Sequence, residues 1–185
     1  CDWSSDVCSS DLFKVIKEKL SLLSNQFSKN SLKATNEWKK LLNKDDLEGY
    51  GDDQLEKIKT DGGFEINLQM PIYMDVMTYA DDRSLREEVY KAYVSRASEV
   101  GITSVEFDNK AIMDEILALR LEMAQILGFD NYAQLSIESK MVESTEQVID
   151  FLQDLVRVSR PQAQQELKEL QAFAGIELMP WDLSY

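Results

Sequence analysis

Apolar residues recur every three or four positions in the stretch FDNKAIMDEILALRLEMAQILGFDNYAQLSIESKM. At about 3.6 residues per turn, this spacing places them on one face of a helix. The members of that face are Ile112, Ile116, Leu119, Met123, Ile126 and Leu127. Asp108 or Asn109 can accept hydrogen bonds from the free amides of the first turn, and Gly128 can adopt the left-handed conformation that ends helices. The pattern therefore predicts an amphipathic helix between these two signals.

A second helical pattern begins at Phe13, with apolar residues at alternating steps of three and four. Its members are Phe13, Ile16, Leu20, Leu23, Phe27, Ala34, Trp38 and Leu41, and Asn30 takes the one polar place. The spacing predicts a long helix that ends near Asn43. Because the stripe approaches a heptad repeat, a coiled-coil dimer is one interpretation and packing on helices of the same chain is the other. We favour packing within the chain because the stripe is mixed and partly aromatic.

Strand periodicity occurs once, in GFEINLQ, where Phe64, Ile66 and Leu68 alternate with polar residues. A short helix over 53–59 and a turn at 61–63 are predicted before it. A lone strand leaves its backbone groups unpaired. We therefore expect its partner in a part of the protein that this chain lacks or that folds around it.

Three further helices are predicted on either side of the central one. Pro71 opens the first, because a missing amide does no harm in the first turn of a helix. Asp81 or Asp82 can cap the next, which extends over about 83–98. A short helix follows the central one, over about 131–139.

The last helical pattern begins at Ser144, where the serine and Gln147 can cap each other's amides. Pro161 lies inside this pattern and removes one backbone hydrogen bond, so a kink or break is expected near Ser159. Gly175 is expected to end the helix.

Three stretches carry a family resemblance, namely EILALRLEMAQILGFDNYAQLSIESKM, QMPIYMDVMTYADDRSLREEVYKAY before it and MPWDLSY at the end. In order and spacing they resemble the thimet oligopeptidase and neurolysin family of zinc metallopeptidases, over residues 13–185. The resemblance implies a mainly α fold, part of an elongated helical lobe with a small β element near residues 64–69. It also implies a cytoplasmic enzyme that encloses short peptides in a narrow channel and hydrolyses them with metal-activated water.

The chain contains no His, and its only cysteines are Cys1 and Cys8. Zinc sites and nucleophilic triads of the usual types need one of these residues. The family's His-Glu-x-x-His zinc motif and its further Glu ligand are expected downstream of the matched region. We therefore expect no catalytic, cofactor-binding or metal-binding residue in this chain, and we assign the zinc to an intact parent enzyme.

Acidic and aromatic residues supply the remaining candidates for a site. The sequence does not fit a calcium-binding loop starting at Asp45, because Leu47 and Gly49 take its third and fifth places, where oxygen ligands are needed.

The adjacent carboxylate pairs are Asp52 with Asp53, Glu87 with Glu88, and Asp114 with Glu115. Neighbours in a helix diverge by about 100°, so we interpret each pair as a solvated face. Tyr73, Tyr79, Tyr90 and Tyr93 can line a peptide groove or fill seams between helices, and we favour the seams.

The formal net charge of -14 disfavours nucleic acid and anionic membranes as partners, because both carry negative charge.

Residues 1–12, CDWSSDVCSSDL, resemble the translation of a sequencing-library adapter. We interpret them as an artefact without regular structure and residues 13–185 as an incomplete helical segment of a metallo-oligopeptidase.

Two functions stay open. One is a non-catalytic helical wall segment of a zinc oligopeptidase, inactive alone, whose partners are short peptides and the missing remainder of the same chain. The other is a stand-alone helical interaction module without enzymatic activity, for which internal repeats would be expected. The sequence shows no repeat at a fixed period, which favours the peptidase segment.

Overall fold

A computed structural model describes the backbone of residues 3–185 and the side chains from Ser10 onwards. The described part holds seven α-helices and one small sheet, so the predicted mainly α fold with a small β element is confirmed. The helices are α1 Trp3–Glu37, α2 Asp52–Ile58, α3 Met70–Tyr79, α4 Arg83–Val94, α5 Lys110–Ile126, α6 Tyr132–Ile137 and α7 Thr145–Ala174. The strands are β1 Lys39–Leu42, β2 Lys59–Thr60 and β3 Gly63–Asn67. Short 3₁₀ helices lie at Lys44–Leu47, Val105–Phe107 and Pro180–Asp182.

Helix α1 differs from its prediction at both ends. It begins at Trp3, so residues 3–12 are helical and not without regular structure as expected. A helix that has started extends by one hydrogen bond per residue, and no Gly or Pro interrupts this stretch. Cys1 and Asp2 lie outside the described residues, and the adapter interpretation of residues 1–12 stays a prediction. The helix ends at Glu37, before the predicted end near Asn43.

The sheet explains this early end. Its strand order is β1–β3–β2 and both pairings are antiparallel. Strand β3 is the predicted strand, and both of its partners belong to this chain, which corrects the expectation of a lone strand. Lys40 lies opposite Ile66 and Leu42 opposite Phe64. Four residues are too few for periodicity to distinguish strand from helix, so the pairing with β3 decides the conformation of β1.

Most helix ends agree with the sequence. Pro71, Asn131 and Gly175 take the predicted end positions of α3, α6 and α7. At the start of α4, the Asp82 side chain accepts a hydrogen bond from the Ser84 amide at 2.8 Å. Helix α4 ends at Val94 and not near Ser98, because Ala97 adopts a positive φ of 54° that is incompatible with a continued helix.

Helix α7 runs without a break from Thr145 to Ala174. Pro161 lies inside it, so a break near Ser159 is wrong, while the alternative of a kink there stays a prediction. One lost backbone hydrogen bond is tolerated because each side of the proline holds several further turns.

The capping box at the start of α7 forms in a modified way. The Ser144 hydroxyl accepts from the Gln147 amide at 3.1 Å, as predicted. The Gln147 side chain accepts from the Glu143 amide at 2.8 Å, one residue earlier than predicted. The first bond satisfies one of the amides that a helix start leaves unpaired, and the second pairs the amide of the residue just before the cap.

The chain divides into two compact units. One consists of Cys1–Asn25 and Ile112–Ile176, and the buried residues of its core cluster come from the predicted faces of α1 and α5. Ile16, Leu119 and Met123 form this core, with Phe13, Leu20, Leu23, Ile126, Tyr132 and Leu135 packed around it. This confirms that the α1 stripe packs within the chain.

The other unit consists of Gln26–Ala111 and Glu177–Tyr185. Its core is larger and joins the sheet to α3 and α4, with Leu42, Ile66, Leu68, Val76, Leu85, Val89 and Trp181 among its buried members. Asn30, the polar member of the α1 stripe, is 5% exposed and donates to Asn109 Oδ1 at 3.0 Å. Asn109 Nδ2 in turn donates to the Phe27 carbonyl and the Ser31 hydroxyl, each at 3.2 Å. A buried amide pair of this kind fixes register, because displacement breaks the bond between the two amides and leaves the Asn30 Nδ2 group without the acceptor that it has here.

Candidate functional site

Two arginines project from the first half of α4. Arg83 and Arg86 lie one turn apart and therefore share a side of the helix. Leu85 and Val89 place the adjoining face in the core. Arg86 is only 3% exposed, which requires nearby acceptors because a buried charge without a partner is costly.

Asp182, in the 3₁₀ helix Pro180–Asp182, supplies the opposite charge. Arg83 donates from Nε to Oδ1 at 3.0 Å and from Nη2 to Oδ2 at 2.7 Å, a bidentate arrangement. Arg86 Nη2 donates to the same Oδ1 at 3.1 Å, and the Met179 amide donates to Oδ2 at 2.9 Å. We call Arg83, Arg86 and Asp182 the Arg–Asp cluster.

Backbone carbonyls take the other Arg86 donors. Nη1 donates to the carbonyl of Ala80 at 2.6 Å, and Nε donates to that of Trp181 at 3.2 Å. The Tyr185 ring covers the guanidinium at 4.0 Å, and its hydroxyl donates to Asp81 Oδ1 at 2.7 Å. These contacts attach the 177–185 segment to the start of α4.

The electrostatics of the cluster favour its charged form. The hydrogen bonds from Arg83, assisted by the Met179 amide and Arg86, hold the pKa of Asp182 well below its ordinary value of 3.8, against the opposing effect of burial. The hydrogen bond to Asp182 raises the pKa of Arg83. Both residues therefore remain ionised at neutral pH, and the cluster serves to position the chain.

The other altered groups in the described residues also titrate away from neutral pH. Burial raises the pKa of Tyr50 and of Tyr73, and the hydrogen bond to Asp81 raises that of Tyr185. Backbone hydrogen bonding lowers the pKa of Glu146 at the start of α7. General acid–base catalysis works best with a pKa near the operating pH, so none of these groups is a good candidate for it.

The tyrosines that were candidates for a groove mostly fill seams. Tyr73 and Tyr93 stack with ring centroids 4.0 Å apart, and Tyr90 lies 5.8 Å from Trp181. All three tyrosines pack against the larger core, which confirms the seam interpretation for them. Tyr79 is 40% exposed.

The carboxylate pairs do not converge on shared sites. Glu115 pairs with Lys19, while Glu87 and Glu88 pair with Lys91 and Lys40. Asp52 and Asp53 are exposed in the first turn of α2. Among the described side chains, no group of three or more Cys, Asp or Glu residues is arranged to hold a metal ion.

Sequence reasoning missed the Arg–Asp cluster. Arg86 and Arg83 lie 96 and 99 positions before Asp182, and nothing in local periodicity pairs them with it. The one available signal was Arg86 itself, which falls beside Leu85 and Val89 on a face that the pattern assigns to the core.

The chain belongs to peptidase family M3. The sequence model of Peptidase family M3 matches residues 76–185, more than half of the chain. This region includes the last four residues of α3, all of α4 to α7 and all of the Arg–Asp cluster. The family resemblance identified from the sequence is confirmed.

The chain is similar to several named peptidases. It is 46% identical over 182 residues to Oligopeptidase A of Salmonella typhimurium and to that of Escherichia coli, covering 92% of this chain and 27% of each relative. It is 33% identical over 168 residues to Saccharolysin of Saccharomyces cerevisiae, covering 85% of this chain and 22% of that relative. The chain thus spans 27% of the length of its bacterial relatives. No helix among the described residues is long and apolar enough to cross a membrane.

Proposed function

We propose that this chain forms a non-catalytic helical wall segment of a zinc oligopeptidase that hydrolyses short peptides. The similarity to Oligopeptidase A carries the proposal, since 92% of the chain aligns at 46% identity with 27% of that relative. The absence of His from the chain supports a structural role over a catalytic one.

The residues of this chain do not fit a zinc ion. Zinc sites in proteins use Cys, His and carboxylate ligands, and catalytic sites usually keep at least one imidazole. The chain has no His, and both cysteines lie within residues 1–12. Carboxylates alone are hard ligands that suit calcium or magnesium better. We therefore assign zinc ligation to other parts of the parent enzyme and derive no catalytic step for this chain.

A wall segment would select substrates through the width of the channel that it borders. Helical walls around a narrow channel admit short, unstructured peptides and exclude folded proteins by size. The Arg–Asp cluster would serve this role by holding the 177–185 segment on α4. We further propose a cytoplasmic location for the parent enzyme, in keeping with the relative named "Probable cytosolic oligopeptidase A" from Arabidopsis thaliana.

Metal analysis and a peptide assay test the non-catalytic role. We expect the purified chain to hold no stoichiometric zinc and to leave a quenched fluorescent peptide intact, with or without added metal. Oligopeptidase A of Escherichia coli serves as the positive control. Tight zinc binding or chelator-sensitive cleavage by this chain would refute the assignment.

The alternative is a stand-alone helical interaction module. One observation favours it, because β3 finds both of its partners within the chain and so does not require a neighbour. The module predicts a monomer that unfolds cooperatively and binds little hydrophobic dye. Strong dye binding by the isolated chain would instead favour the wall segment.

A further inference from the structure

Helix α7 presents a broad apolar face to solvent. Six large apolar side chains in its first half are 50–64% exposed, namely Ile149, Phe151, Leu152, Leu155, Val156 and Val158. We call these six the α7 stripe. At about 100° per residue they cover roughly half of the helix circumference. The same face continues with Leu167, Leu170 and Phe173, which are also exposed.

The opposite face of α7 is charged, and its ends are well formed. Asp154 and Arg157 pair there at 2.6 Å. Ser144 caps the first turn, and Gly175 ends the helix with a φ of 69°. The apolar face therefore belongs to a fully formed helix. Contiguous exposed apolar surface of this kind marks interaction sites.

We propose that the α7 stripe binds an apolar surface of a family M3 polypeptide. That surface belongs to the part of the polypeptide with which this chain does not align. The inference rests on the proposed function and identifies the surface that this function requires. Helix α7 lies entirely within the family match at 76–185. The alignment of this chain covers only 27% of Oligopeptidase A. Such relatives therefore have a far longer polypeptide that can cover the apolar face.

Charge argues against the other occupants. A second copy would bring a second net charge of -14 to the same contact, and like charges oppose association. Helices that lie on membranes are rich in Lys and Arg on their polar face. Helix α7 instead carries more acidic than basic residues, with Glu146, Asp150, Asp154, Glu166 and Glu169 against Arg157, Arg160 and Lys168.

Cysteine labelling in intact Oligopeptidase A of Escherichia coli tests the proposal without requiring this chain to fold in a new context. Single cysteines replace the residue aligned with Leu155, in the stripe, and the residue aligned with Arg157, on the charged face. The matched variants in the 185-residue chain are Leu155→Cys and Arg157→Cys, with Cys1 and Cys8 changed to Ser. The rate of maleimide labelling is measured for all four.

We expect both positions to react quickly in the 185-residue chain, because both side chains are exposed. In the intact relative we expect the stripe position to react about 100-fold more slowly than in the chain, because labelling there requires local opening. The position aligned with Arg157 controls for the general reactivity of the folded relative.

Three results would overturn the proposal. The first is a stripe position in the intact relative that reacts within about threefold of its rate in the chain. The second is slow labelling of Leu155→Cys in the chain together with a dimer in sedimentation, which would assign the face to a second copy. The third is a Leu155→Cys position that is protected from labelling only when phosphatidylserine vesicles are added to the chain, which would assign the apolar face to a membrane. Labelling does not depend on peptide cleavage, so failure of the stripe and failure of the proposed function remain distinguishable.

Discussion

Arg86 donates a hydrogen bond to Asp182 at 3.1 Å, and the two side chains are only 4% and 2% exposed. This contact joins α4 to the 177–185 segment across 96 positions of sequence. Because both charges are nearly removed from water, each depends on the other for compensation. The pair therefore supports the position of the whole segment.

Asp182→Asn should destabilise the chain strongly. The substitution leaves the Arg86 guanidinium buried opposite a neutral amide, and loss of one member of a buried pair costs about 3–5 kcal/mol. Urea unfolding followed by circular dichroism measures the loss. Asp154→Asn is the matched control, since its pair with Arg157 is exposed, and it should cost less than about 1 kcal/mol. Equal effects of the two substitutions would contradict the structural role of the Arg–Asp cluster.

Acid should weaken the fold through the same residue. The pKa of Asp182 lies below its ordinary value of 3.8, so in acid the unfolded chain binds a proton here before the folded chain does. The contribution of Asp182 is complete above the unfolded pKa and is lost as the pH falls from about 4 toward the lower native pKa. The free energy of unfolding, measured between about pH 6 and pH 3, should fall more for the wild-type chain than for Asp182→Asn. Parallel curves for the two proteins would show that another group controls acid unfolding.

Two glycines with left-handed backbones should respond differently to alanine. Gly49 has a φ of +93°, and a Cβ there would overlap the carbonyl oxygen of Tyr79. Gly128 has a φ of +82° with no atom within 4 Å of the added Cβ. Gly128→Ala should cost only the conformational strain, about 1–2 kcal/mol. Gly49→Ala should cost at least about 3 kcal/mol, because backbone atoms must move as well. Equal losses in denaturant unfolding would contradict the close approach at Gly49.

Removal of residues 1–12 should leave the rest of the fold intact. The buried residues of the core formed by α1 and α5 begin at Ile16, which is 2% exposed. We expect the deletion to change the free energy of unfolding by less than about 1 kcal/mol. Ile16→Ala serves as the comparison and should cost about 2–5 kcal/mol, because it creates a cavity in that core. A deletion as damaging as Ile16→Ala would argue that residues 1–12 belong to the fold.

Local patterns predicted much of the helical structure. The spacing of Leu119 and Met123 placed them on the buried face of α5, and Ser144 and Gly175 marked the ends of α7. Such features depend on residues within a turn or two of each other, which a sequence displays directly. The strand β1 was missed because its conformation depends on β3, more than twenty positions away.

The Arg–Asp cluster could not be predicted for a related reason. Its contacts join α4 to a 3₁₀ helix near the last residues, and no periodicity connects such distant positions. The exposure of the α7 stripe was equally hidden, because an amphipathic pattern predicts a helix but not what covers its apolar face.

A chimera tests the central claim most directly. The matching region of this chain replaces the aligned region of Oligopeptidase A from Escherichia coli, to which it is 46% identical. Cleavage of a quenched fluorescent peptide is then measured with and without a chelator. We expect the chimera to cleave the peptide, to lose activity on chelation, and to be inactive when the aligned region is deleted. A chimera that folds cooperatively and retains its metal but fails to cleave the peptide would contradict the assignment of this chain as a wall segment of an oligopeptidase.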